Sequence, residues 1–128
     1  MAHVSRFYQV EDVTFHTEGN VFFTNSQAVL IAKKLARHFK FKLGEISFRK
    51  MYRCLGIFHY GDWSITYVNG PSLRVIIHEL AHLWQYQVRG WTRHSKPLLA
   101  LMRRMFAFAR RKDWWIDEKA QQEQRQNV

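Results

Sequence analysis

The chain has 128 residues, 47% of them hydrophobic and 16% aromatic, enough for one compact core and too few for a second folded domain. Its single cysteine, Cys54, excludes an intrachain disulfide framework and a cysteine-based zinc ribbon, and fits a reducing compartment. Twenty Lys and Arg against ten Asp and Glu give a net charge of +10, which draws polyanions or acidic partners from a distance without specifying a fold.

Met1 to Asp12 lacks the basic start and apolar run of a signal peptide, and no stretch approaches the roughly twenty apolar residues of a membrane span. The expectation is a soluble intracellular protein with no membrane partner, cytoplasmic, or associated with the nucleoid or nucleus if it works on DNA. From His3 to Phe23 apolar residues are scattered around a turn at Glu18-Gly19-Asn20, so 1–24 reads as an extended or irregular segment.

Thr24, Asn25 and Ser26 offer N-cap side chains, and Val29, Leu30, Ala32, Leu35, Ala36 and Phe39 then recur at helical spacing, with Lys33, Lys34, Arg37 and Lys40 on the solvent side. After Gly44, three short β-branched or aromatic segments (Glu45 to Met51, Arg53 to Tyr60, Trp63 to Val68) predict a three-stranded antiparallel meander. Gly70-Pro71-Ser72 and Gly90 bracket a helix over Leu73 to Arg89, with Leu73, Ile76, Ile77, Leu80, Trp84 and Val88 as its core stripe. A last helix starts at Lys96, with Pro97 in its first turn and Leu98, Leu101, Met102, Met105, Phe106 and Ala109 facing inward. Residues 25–115 form the domain, and the Gln-rich 116–128 is a polar tail that frays. The fold class is α+β.

The second of these helices carries His78-Glu79-Leu80-Ala81-His82. Two histidines four apart on a helix reach one metal ion, and the Glu after the first stands beside the position left open for water. The chemistry this implies is that of a zinc peptidase: neutral imidazoles hold Zn2+, the metal acidifies a water, and Glu79 takes its proton and later delivers one to the leaving amine. A third ligand must lie elsewhere. The metzincin continuation needs Gly at position 85 and His at 88, where the chain has Gln85 and Val88. A thermolysin-like site would draw on a downstream acid such as Glu118, Asp113 or Asp117. His94 is nearer, just past the helix stop and at the mouth of the next helix, and is the favoured candidate.

The runs HELAHLWQY from His78 and RHSKPLLALMRR up to Arg104 resemble the SprT-like (Spartan-related) zinc metalloproteases, whose motif continues to a third His at the start of a helix. The resemblance extends back through Leu55-Gly56 and Ile65-Thr66-Tyr67 and covers about Ser26 to Arg104. The chain departs from the family's pattern at Ser95 and Leu98 and in having no zinc ribbon. What the resemblance implies is a small zincin-like domain that cleaves proteins, in some relatives proteins attached to DNA, with His94 as third ligand.

Lys33 to Arg53 holds eight basic residues and Arg103 to Lys112 five, with Phe106, Phe108, Trp114 and Trp115 nearby. Lys33, Lys34, Arg37, Arg110, Arg111 and Lys112 are candidate contacts to single-stranded or damaged DNA, cations meeting phosphates and aromatic rings meeting unpaired bases. Tyr86, one turn beyond His82, is a candidate transition-state stabiliser, with Arg93 and His59 as weaker ones. His16, His38 and His59 lack metal-ligand spacing. The rival to an enzyme is a nucleic-acid- or protein-binding module with a structural or vestigial zinc site.

Overall fold

The computed structural model describes residues 7, 9–11, 19–59 and 61–112. Its main elements are α1 (Asn25–Phe39), β1 (Ile46–Arg49), β2 (Gly56–Phe58), β3 (Ile65–Val68), α2 (Leu73–Arg89) and α3 (Lys96–Lys112), an α+β order. Among the described residues no helix is long and apolar enough to cross a membrane.

α1 starts where its capping residues predict. The Thr24 hydroxyl accepts from the Gln27 N–H while the Gln27 side chain accepts from the Thr24 N–H, a reciprocal capping box that satisfies two otherwise orphaned donors. Its buried face is Ala28, Ile31, Ala32, Leu35 and Ala36. Leu30, read from the sequence as part of the inward stripe, is 49% exposed. The face is rotated because Ala28, Ile31, Ala32, Leu35 and Ala36 fall at helical spacing on one side, which leaves Leu30 outside it. Lys33, Lys34 and Arg37 are exposed, as expected.

The sheet differs from the predicted antiparallel meander. Its order is β1-β3-β2, with β1 parallel and β2 antiparallel to β3. β3 takes the centre because Ile65 and Tyr67 are both wholly buried, whereas alternate residues of β1 are exposed and suit an edge. Residues 50–55, read as the ends of two strands, instead carry the chain across the end of β3 from one edge to the other. Two inter-strand spacings, about 10 Å, are well within the reach of six residues. The outer face of the sheet is polar, with Ser47 and Thr66 hydroxyls 2.9 Å apart. The inner face packs on the helices, and the buried Tyr67 hydroxyl donates to the Ile76 carbonyl of α2 at 2.8 Å.

α2 has the predicted bounds. Ser72 caps it by accepting from the Val75 N–H, and Gly90 ends it at φ 76°, in the left-handed region that costs glycine little. Its sequence is buried nearly all round from Leu73 to Gln85, because α1, α3 and the sheet cover it on separate sides. Val88 departs from the expected stripe and is 67% exposed, on the rim of a hollow shared with Pro97 and Leu101 of α3. α3 buries Leu98, Met102, Met105, Phe106 and Ala109 as read.

The described residues of 1–24 correct the extended reading. Phe7, residues 9–11 and Gly19 are helical, and Phe7 and Glu11 are buried. These two are four apart, so they share a helix face. Apolar periodicity misses that face because one of its two inward positions is a carboxylate. The polar tail 116–128, with Asp113, Trp114, Trp115, Asp117, Glu118 and Glu123, lies outside the described residues, as does His16.

Candidate metal centre

α2 places His78 and His82 one turn apart on the side facing β2, and both are 6% exposed. The left-handed turn at Gly90 sends the chain back along α2. Gln85, itself 2% exposed, clips the returning loop: its Oε1 accepts from the Arg93 N–H at 3.2 Å and from the Thr92 hydroxyl at 2.7 Å. That clip delivers His94 opposite the two helical histidines. Gln85 stands where a metzincin would need glycine, and it supplies the geometry by another route.

The three Nε2 atoms form a nearly equilateral triangle. His78 and His82 are 3.1 Å apart, and each is 3.2 Å from His94. Three metal–nitrogen bonds of about 2.0–2.1 Å at tetrahedral angles separate their nitrogens by about 3.3–3.4 Å, so the triangle fits one small ion with a fourth position open. The three histidines are the group that can hold a metal among the described residues.

Hydrogen bonding fixes where the protons are. A backbone N–H can only donate, so the Arg93 contact orients the Gln85 amide with its oxygen toward the loop. The Thr92 hydroxyl therefore gives its own proton to Gln85 and must receive one from His82 Nδ1, 2.7 Å away. His82 then presents a bare lone pair at Nε2. His78 Nδ1 lies 2.9 Å from Glu11 Oε2, on the edge of the ring opposite the triangle. Lone pairs converging in this way can be joined by one cation between them.

The electrostatics agree with neutral ligands at two of the three sites. Burial, helped by the neighbouring His78 and His94, pushes His82 down to about 3. Burial likewise holds His94 below the ordinary histidine value, with His78 adding to it. For His78 burial is also the largest single influence and opposes protonation, but the hydrogen bond and charge of Glu11 and the charge of Glu79 together outweigh it, leaving its pKa raised. Glu79 is raised as well, chiefly by burial and further by Glu11, against the opposing pull of His78.

Glu79 lines a cleft of about 360 Å³ together with all three histidines and Gly56, Ile57 and Phe58 of β2. A neighbouring hollow of about 290 Å³, holding Glu11 and Arg74, also reaches Glu79 and His78. Gly56 leaves room for the carboxylate: a Cβ there would stand 2.7 Å from Glu79 Cγ. The Phe58 ring stacks on His82 at 5.5 Å and 8°, covering one face of that ligand.

The other sequence candidates are dispersed. Tyr86 packs toward Phe58 and Trp63 rather than into this cleft. Arg93 lines the cleft with its guanidinium 4.6 Å over the Trp91 ring. His59 sits by Thr66 on the outer face of the sheet. Arg110 is exposed on α3, and the side chains of Arg111 and Lys112 lie outside the described set. Glu11, Gln85, Thr92 and Gly56 were not singled out from sequence as site residues. Thr92, two residues before His94, and Gln85, one turn after His82, were the available signals.

No protein-family model, curated protein or solved structure matches this chain.

His78→Ala, His82→Ala and His94→Ala are each expected to abolish tight binding of one divalent transition-metal ion per chain, measured as metal content after dialysis, while His59→Ala retains it. Retention of the ion by His94→Ala would remove the loop from the site.

Proposed function

We propose that the chain is a zinc-dependent metallopeptidase of the SprT-like kind. The observation that carries this reading is the Nε2 triangle of His78, His82 and His94 with Glu79 in the same cleft. An all-imidazole set suits zinc among the common ions, and three protein ligands rather than four is the count of a catalytic site. Zinc bound there supplies Lewis acidity, polarising the scissile carbonyl and lowering the pKa of water.

The chain's own residues do the rest. Glu79, ionised, takes a proton from the attacking water as its oxygen bonds the carbonyl carbon, then passes that proton to the departing amine nitrogen as the C–N bond breaks. Burial raises the Glu79 pKa, which makes its carboxylate a better base toward the water. β2 is an edge strand whose residues line the cleft, so an extended substrate can add to it through main-chain hydrogen bonds and lie across the histidines. Rim-exposed Arg53 and Arg93 favour acidic substrate side chains.

A DNA-associated role has one supporting observation. His38 of α1 stacks on Phe108 of α3 at 3.7 Å and 22°, and Arg104 of α3 lies over the Phe39 ring at 5.6 Å. The C-terminal end of α1 and the second half of α3, each carrying one basic cluster, therefore lie side by side. A polyanion following Lys33, Lys34, Arg37 and Arg110 would hold a DNA-associated protein near the enzyme.

Glu79→Gln keeps side-chain size and all three ligands. Its zinc content should match wild type, while cleavage of protein substrates, assayed with and without DNA, should fall roughly 10²–10⁴-fold. Equal cleavage by both proteins would remove Glu79 as the base. Affinity for single-stranded DNA should fall with salt at a log–log slope of about −3 if those four cations each neutralise one phosphate, and Lys33→Ala/Lys34→Ala should shrink the slope by about 1.4. Salt-independent binding, or none at low salt, would count against the basic surface.

A further inference from the structure

Glu11 is 3% exposed, one of the few buried charged side chains described, and it arrives from the N-terminal segment, 67 residues before the histidine it touches. Its Oε2 is 2.9 Å from His78 Nδ1, and its Oε1 is 3.6 Å from Arg74 Nε, one turn earlier on α2. A buried carboxylate is costly unless paired, and here each oxygen faces a nitrogen donor. We propose that Glu11 is a positioning residue for the metal centre, holding His78 in its Nδ1–H tautomer with the Nε2 lone pair aimed into the histidine triangle.

The proposal follows from donors and acceptors. The Arg74 guanidinium can only donate and faces one Glu11 oxygen, and the other oxygen accepts from the imidazole, which places the proton of the Glu11–His78 contact on Nδ1. Nε2 is then left as an acceptor, the form a metal requires. Glu11 is not a ligand itself, because it meets the opposite edge of the imidazole ring from the triangle. A carboxylate at that edge also makes the ring a stronger donor to a metal than an amide or water would.

Phe7 completes the arrangement from the same helical face. Its ring meets His78 edge-on at 6.0 Å and lies 5.0 Å from His94, so one turn of the N-terminal segment touches two of the three candidate ligands. Docking of Phe7 and Glu11 and metal affinity are therefore linked: whatever lifts these two side chains from α2 frees His78 to rotate or to change tautomer. The linkage to metal rests on the reading of the three histidines as a zinc site, whereas the tautomer belongs to the metal-free protein.

The test uses the full chain as wild type, Glu11→Gln and Glu11→Ala. Long-range ¹H–¹⁵N spectra of the metal-free proteins at alkaline pH report the His78 tautomer, and competition with a chromophoric chelator reports zinc affinity. Wild type should show Nδ1–H alone. Glu11→Gln keeps an acceptor oxygen in the same volume, so it should keep the tautomer and lose roughly 10-fold in affinity. Glu11→Ala should mix tautomers and lose up to roughly 100-fold. Nε2–H as the main tautomer in wild type would overturn the proposal, as would wild-type tautomer and affinity in Glu11→Ala. Should Glu11→Ala not fold, the wild-type spectrum and the Glu11→Gln affinity decide it. Wild type that shows the Nδ1–H tautomer yet takes up no zinc would sink the metallopeptidase reading and leave the role of Glu11 in orienting His78 standing.

Discussion

Three imidazole nitrogens held within 3.2 Å of one another, at least two of them as bare lone pairs, are the constraint from which the rest of this molecule can be understood. Such a cluster persists in a buried setting only where the rings cannot turn away. Each ring is accordingly braced. Glu11 and Phe7 hold His78, Thr92 and Phe58 hold His82, and the Gln85 clip fixes the loop that carries His94. The braces come from the N-terminal segment, β2, α2 and the post-helix loop, so the site depends on the whole tertiary arrangement.

The sheet serves the same end. Placing β3 at the centre puts β2 at an edge directly beside α2, with Gly56 against Glu79 and Phe58 against His82. In the meander order the middle strand would be β2, with both its edges occupied by neighbours. The crossover of residues 50–55 is what leaves that edge unpaired by β1 and β3, and the same residues bring Cys54 to the cleft and Arg53 to the neighbouring hollow. Cleft and crossover are one topological choice.

Much of this was legible in the sequence, and the remainder was not for identifiable reasons. α2 could be bounded to the residue because Ser72 and Gly90 punctuate it, and His78, Glu79 and His82 follow from helical spacing within those bounds. His94 could be favoured because it follows the stop and precedes the Pro97 helix start. Strand order was out of reach: parallel pairing of β1 with β3 is a contact between residues 19 apart whose local patterns fit either topology equally well. The inward face of α1 was misjudged at Leu30, which is exposed, and at Ala28 and Ile31, which are buried, because alanine carries little hydrophobic signal and Leu30 and Ile31 stand side by side in sequence. Glu11 was invisible for the opposite reason, since a charged residue is expected outside until its partner is known.

Absorption at the zinc K-edge of the zinc-loaded protein tests the central claim most directly, because it reads the number, kind and distance of atoms around the metal. Three imidazole nitrogens at about 2.0–2.1 Å and one further light atom without sulfur are the expected shell. A sulfur scatterer from Cys54, a fourth imidazole, or a shell with fewer than three imidazoles would contradict an open three-histidine site.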